Sequence, residues 1–150
     1  MKRLATNITL AIFALIALSG CTKNNGDIGH WFGLWHVDKI EIDGIDDPAY
    51  DGNFYFLFQN HVFCIRWVDE NNHESAESYA RWQEDDNGQT MTISFVDSNY
   101  SPTINGDVPP THFSDINNFN VITLNNEKMK LQLIDADTGR TYTYHLTCWK

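Results

Sequence analysis

Apolar and polar residues alternate strictly in several short stretches of this chain. In Met91-Thr92-Ile93-Ser94-Phe95 every second position is apolar. The same holds for Met129, Leu131 and Leu133, spaced by Lys130 and Gln132, and for Tyr142, Tyr144 and Leu146, spaced by Thr143 and His145. A period of two sends successive side chains to opposite faces of a strand, so it predicts strands buried on one face, as in antiparallel sheets. No segment after residue 30 sustains a helical period, which predicts an all-β domain with at most one short helix.

Turn-forming residues cut these stretches at regular intervals. Gly44 to Gly52 reads as a loop, Asn60-His61 splits the aromatic run Phe54 to Val68 into a hairpin, and Glu70 to Glu74 separates the next pair. Asp85-Asp86-Asn87-Gly88, Asn125-Asn126-Glu127 and Asp137-Thr138-Gly139 carry the same turn chemistry. The strands fall near 34–42, 54–59, 62–68, 77–84, 89–96, 119–124, 128–135 and 140–148. Eight short strands joined by tight turns predict an up-and-down antiparallel barrel, closed so that no edge is left unpaired. Another small β-barrel or a β-sandwich is the alternative. Strand parity turns Trp35, Phe63, Ile65, Trp67, Met91, Ile93, Phe95, Met129, Leu131, Leu133, Tyr142 and Tyr144 inward, a bulky set that leans toward a small cavity or none. The one long connection, Asp97 to Asn118, is of the length that serves as a lid or binding loop.

The first residues follow a different pattern. Lys2 and Arg3 precede an unbroken apolar and small run from Leu10 to Leu18, too short to span a bilayer but suited to a signal peptide. Leu18-Ser19-Gly20-Cys21 then resembles the lipobox of bacterial lipoproteins. That resemblance implies cleavage before Cys21 and a diacylglycerol on its thiol. The expected organisation is a signal peptide over 1–20, a lipidated flexible tether over 21–29 and one β-barrel domain over 30–150. Several acyl chains on one N-terminus exceed the threshold for stable membrane attachment. Thr22 after the cysteine points to the outer membrane under enteric-type sorting, with the periplasmic or outer face left open.

The formal net charge is -10, and it becomes -12 once Lys2 and Arg3 leave with the signal peptide. Such a domain has no basic surface for nucleic acid or anionic headgroups. With Cys21 lipidated, Cys64 and Cys148 remain, and an oxidising compartment invites a bond between them. Parity argues against it: Cys64 turns outward and Cys148 inward, on strands that are not neighbours. Two free thiols are expected, with Cys64 shielded by a neighbouring side chain or loop.

The sequence carries no recognisable catalytic or metal-site pattern. His30, His36, His61, His73, His112 and His145 show no metal-site spacing, and Asp47 to Phe58 matches an EF-hand loop only in part. No Gly-x-Ser-x-Gly elbow is present, and Cys64 between Phe63 and Ile65 sits in an apolar setting that makes a thiol inert. The expectation is a protein without enzymatic activity, metal or cofactor. Aromatics are the conspicuous feature, with Trp67, Tyr79 and Trp82 on consecutive strands beside Arg66 and Arg81. They read as barrel core, as an apolar ligand cavity or as a sugar-stacking surface.

Trp31-Phe32-Gly33-Leu34-Trp35, followed by an extended stretch and Gly44, resembles the opening of lipocalin-like proteins. The stretches Phe54 to Asn60 and Phe119 to Leu131 are similar to segments of small lipocalin-like bacterial lipoproteins. The resemblance implies that Trp35 plugs the closed end of the barrel, with Gly33 allowing close backbone approach. The family's arginine over that tryptophan falls, by position, on Arg140. It also implies a lipid-anchored protein that binds a small apolar or amphipathic ligand, with Trp35, Phe63, Trp67, Met91, Phe95, Tyr142 and Tyr144 as ligand-lining or core residues. The alternative function is a packed barrel acting as a structural, glycan-binding or protein-interaction unit at the cell envelope.

Overall fold

A computed structural model describes residues 26–69, 74–96 and 111–149. The signal peptide, Cys21, His73 and residues 97–110 of the long connection lie outside the described residues. The described residues begin with a 3-10 segment, Gly26–Trp31, kinked at Gly29, which overlaps the end of the stretch 21–29 expected as a tether. Nine strands follow among the described residues: β1 (Gly33–Ile42), β2 (Ile45–Asp46), β3 (Phe54–Gln59), β4 (Val62–Asp69), β5 (Glu74–Glu84), β6 (Thr90–Ser94), β7 (Ile116–Leu124), β8 (Lys128–Ile134) and β9 (Thr141–Trp149).

Every neighbouring pair is antiparallel and follows chain order, and β9 pairs with β1 from Leu34↔Trp149 to Ile42↔Tyr142. The result is a closed eight-stranded up-and-down barrel. The two-residue β2 folds back on the end of β1 through Asp43-Gly44, where both residues have positive φ (51° and 84°), the requirement of a tight hairpin turn. Alternation is interrupted twice. The register shifts between Val37 and Lys39 and again between Val121 and Thr123, so Asp38 and Ile122 are extra residues that turn outward while the strand bends.

The predicted inward set is buried, with one exception: Trp67, near the end of β4, is partly exposed at the rim. Phe54, Phe56 and Phe58 add three rings from β3 to the same interior. The long connection runs from the end of β6 at Ser94 to the start of β7 at Ile116, and Thr111 and Phe113 within it are buried. Cys64 faces outward yet is only 1% exposed, while Cys148 faces in and is half-buried near Gly33. Both are free thiols. Two strands, β3 and β1, separate β4 from β9, which sets the two cysteines about 14 Å apart at the usual strand spacing, twice the reach of a disulfide.

Candidate functional site

The barrel has two unlike ends. At one, the 3-10 segment brings Trp31 under the strands, where it meets Phe58 at 5.1 Å and Trp82 at 5.3 Å between ring centroids. Phe58 and Trp82 meet edge to face at 5.2 Å. Trp35 lies above them and its indole N–H donates to the Trp31 carbonyl at 3.0 Å. Three mutually tilted rings and a satisfied indole close this end. Gly33 opens β1 here at a φ of 140°, a conformation that side chains resist. A Cβ at Gly33 would meet only ordinary contacts at 3.9 and 4.0 Å, so dihedral freedom, not close approach, calls for the glycine. His30 anchors the segment to the β7–β8 turn through Asn126 Oδ1 at 2.8 Å.

At the other end the strands are joined by the longer connections. Ile42, Tyr50, Trp67 and Ala76 stay partly exposed around the mouth. The centre of the barrel below them is filled from a connection and not from a strand. Phe113 points inward and stands 5.4–6.3 Å from the rings of Phe56, Phe63, Phe95, Phe119 and Tyr144. The segment 111–115 thus lies over the interior as a strap that sends Phe113 inward while Ser114 and Asp115 stay exposed.

Polar contacts fix the strap on both sides of Phe113. The buried Tyr144 hydroxyl donates to the Thr111 carbonyl at 2.5 Å. Asn117, fully buried at the start of β7, accepts from the Ser114 N–H at 2.8 Å and donates to the Ser114 carbonyl at 2.7 Å. His112 has a φ of 60° and stacks on Tyr142 at 4.5 Å, with its Nε2 2.6 Å from Asp47 Oδ2. Asp47 is itself buried and accepts from the Ala49 N–H at 2.9 Å. Burial opposes ionisation of Asp47, but the bonds from His112 and Ala49 outweigh it and hold its pKa below the ordinary value. Tyr50 donates to the Val37 carbonyl and closes the neighbouring loop over β1.

Of the residues singled out in the sequence, Trp35 sits at the sealed end. Phe63, Met91, Phe95, Tyr142 and Tyr144 line the filled interior, and Trp67 the mouth. Arg140 is exposed in the β8–β9 turn at the open end, so it does not pack over Trp35. Asp47, His112, Phe113 and Asn117 were missed as parts of one site. The apolar Phe113 behind Thr111 and His112, inside a polar connection, was the available signal.

The outer wall accounts for further polar groups. His36 meets Asp38 and the Gly52 carbonyl at 2.8 and 2.9 Å. Glu41 lies 2.6 Å from Lys39 and 3.1 Å from His145, and these partners lower its pKa to about 2. Among the described residues no group of three or more His, Cys, Asp or Glu is placed to hold a metal ion. Burial, with Glu77 nearby, pushes the Cys64 thiol up to about 12, which leaves it without nucleophilic character at neutral pH.

Solved structures share this architecture. A lipocalin-like protein from Bacteroides uniformis superposes with a TM-score of 0.62 at 13% identity, over 81% of this chain and 100% of that one. An uncharacterized protein from Bacteroides eggerthii gives 0.56 at 16% identity, over 79% and 99%. No protein-family model and no curated protein sequence matches the chain. The fold is therefore a lipocalin-like closed eight-stranded barrel.

Proposed function

We propose that this protein is a lipid-anchored, non-enzymatic binding protein that takes a small apolar or amphipathic ligand into the open end of its barrel. The observation that carries the reading is the source of the side chain at the barrel's centre. The closed end is sealed by Trp31, Phe58 and Trp82, whereas the centre is occupied by Phe113 from a connection. A strap held by a few polar contacts can withdraw where a strand cannot. Its ring would leave a space lined by Phe56, Phe63, Phe119 and Tyr144, beside the small residues Ser78 and Ala80 of β5. Such a site suits a ligand about the size of one or two rings.

In this reading the Leu18-Ser19-Gly20-Cys21 motif supplies the anchor, at the outer membrane of the cell envelope. The test is native mass spectrometry of the protein taken from its own membrane, paired with binding of the apolar probe N-phenyl-1-naphthylamine. A co-purifying ligand that the probe displaces, and tighter probe binding by Phe113→Ala, are expected. An empty barrel that also excludes the probe in the Phe113→Ala variant would defeat the proposal. The five ring contacts of Phe113 favour a second reading, a permanently packed barrel acting through its surface.

A further inference from the structure

The outer wall carries an uncharged, largely apolar row, in which Trp149 packs edge to face on Tyr55 at 5.4 Å and Cys64 is covered by its neighbours. Trp149 pairs with Leu34, Leu34 with Leu57, Leu57 with Cys64, and Cys64 with Tyr79. These five residues therefore lie side by side across β9, β1, β3, β4 and β5, with about 4.8 Å between strands. Their chain neighbours Trp35, Phe56, Phe58, Phe63 and Ile65 are buried inside, so the row faces out. Outward positions of a water-surrounded antiparallel wall are ordinarily polar. Here none in the row is charged, and the two ends are open: Trp149 is 58% exposed and Tyr79 43%. Phe32 and Val62, also exposed, lie one row nearer the closed end, where Val62 is flanked by Gln59 and Arg81. The nearest carboxylate in the next row, Glu77, is held by Arg66 at 2.6 Å and by Tyr79.

We infer that this row rests on the bilayer surface, so that the closed end of the barrel faces the membrane and the open end faces away. The inference rests on the anchor at Cys21 proposed above. The described chain starts at Gly26, and the 3-10 segment, kinked at Gly29, leads to Trp31 at the closed end. Five Cα steps separate Cys21 from Gly26, a reach of at most about 18 Å. An acylated Cys21 thus holds this end, and not the mouth, against the lipid. Tryptophan and tyrosine are the side chains that settle at the membrane–water boundary. With a formal net charge of -12 after Lys2 and Arg3 leave with the signal peptide, attraction to anionic headgroups is not available, which leaves aromatic and apolar contact with zwitterionic lipid.

The experiment uses the full acylated protein in phosphatidylcholine vesicles whose acyl chains carry bromine. Trp149 emission is read as the difference between wild type and Trp149→Phe, and the open end is read through Ile45→Trp, at a position 75% exposed. Loss of the Trp149 emission in brominated vesicles, with the Ile45→Trp signal intact, is expected. Trp149 untouched by bromine but quenched by aqueous acrylamide would leave the row in water and overturn the inference. Trp149 shielded from both would assign the row to a second copy or a protein partner, and overturn it too. Quenching of both positions overturns the orientation. The mass of the N-terminal peptide separates the two levels: an unacylated Cys21 defeats the anchor, whereas an acylated Cys21 with unquenched Trp149 defeats the membrane contact alone.

Discussion

Tyr144 and Thr111, 33 residues apart in the chain, are joined by a hydrogen bond from the phenol to a main-chain carbonyl at a point sealed from solvent. The bond ties the strap to β9 and satisfies a carbonyl that water cannot reach. Tyr144→Phe removes the donor and keeps the ring. The stranded carbonyl costs about 1–3 kcal/mol. Urea unfolding will show the loss as a lower midpoint with an unchanged slope, and amide exchange will accelerate at 111–115 more than in the strands.

Trp35→Ala empties the space above Trp31 and leaves the Trp31 carbonyl without its indole donor. Aromatic-to-alanine changes in cores cost about 3–5 kcal/mol, a drop in melting temperature on the order of 10 °C for a domain of this size. Calorimetry of the variant checks it, and a melting temperature within a few degrees of wild type would remove Trp35 from the plug.

Acid weakens two carboxylate anchors. The pKa of Asp47 is depressed and that of Glu41 lies at about 2, so both stabilise the folded chain above their ordinary values and lose that contribution as the pH falls. The stability advantage of wild type over Glu41→Gln will narrow as the pH drops from about 4.5 toward about 2, and that over Asp47→Asn will narrow below about 4. A gap independent of pH in this window would contradict the assigned pairing.

Thiol chemistry separates the two cysteines of the barrel. Cys64, pushed up to about 12, stays a protonated thiol at neutral pH, while half-buried Cys148 at the closed end is open to reagent. Brief iodoacetamide treatment of the folded protein will label Cys148 alone, and treatment of the denatured, unreduced protein will label both. Absence of label on either cysteine after denaturation would establish a disulfide. At the alkaline end the sign reverses: a raised thiol pKa contributes stability that is lost as the pH climbs from about 9 toward about 12.

Cys21→Ala will leave the precursor without acyl chains and outside the membrane fraction. Metabolic labelling with a palmitate analogue checks this, and label persisting on the variant would refute lipidation at Cys21.

Strand positions were legible because one-sided burial writes a period of two into the sequence, and that period survives in β6, β8 and β9 without a break. β1 hid its bulge: from Val37 to Ile40 the alternation slips by one, and the slip is visible only when β9 lies alongside. Trp67 obeys the parity rule and is still half open, because position along a strand, and not parity, sets how far a residue sits from the mouth. Cys64 turns outward and is covered, both as its sequence setting predicts. An outer face buries a side chain where its cross-strand neighbours Leu57 and Tyr79 are large. The strap was the least legible part. Asp47 and His112 meet across 65 residues, and no local pattern in either segment announces the other.

The seam between β1 and β9 also dictates when this chain can finish folding. Thr141 donates its N–H to Asp43 Oδ1 across 98 residues, so the first long strand waits for the last before either has both neighbours. Pairings of such sequence separation are slow to form, because the connecting chain must first lose its freedom. A nascent chain stalled before Thr141 carries two bare sheet edges, β1 and β8, which invite pairing with other chains. Synthesis from the N-terminus therefore leaves the barrel open until its final strand, Thr141–Trp149, has been delivered.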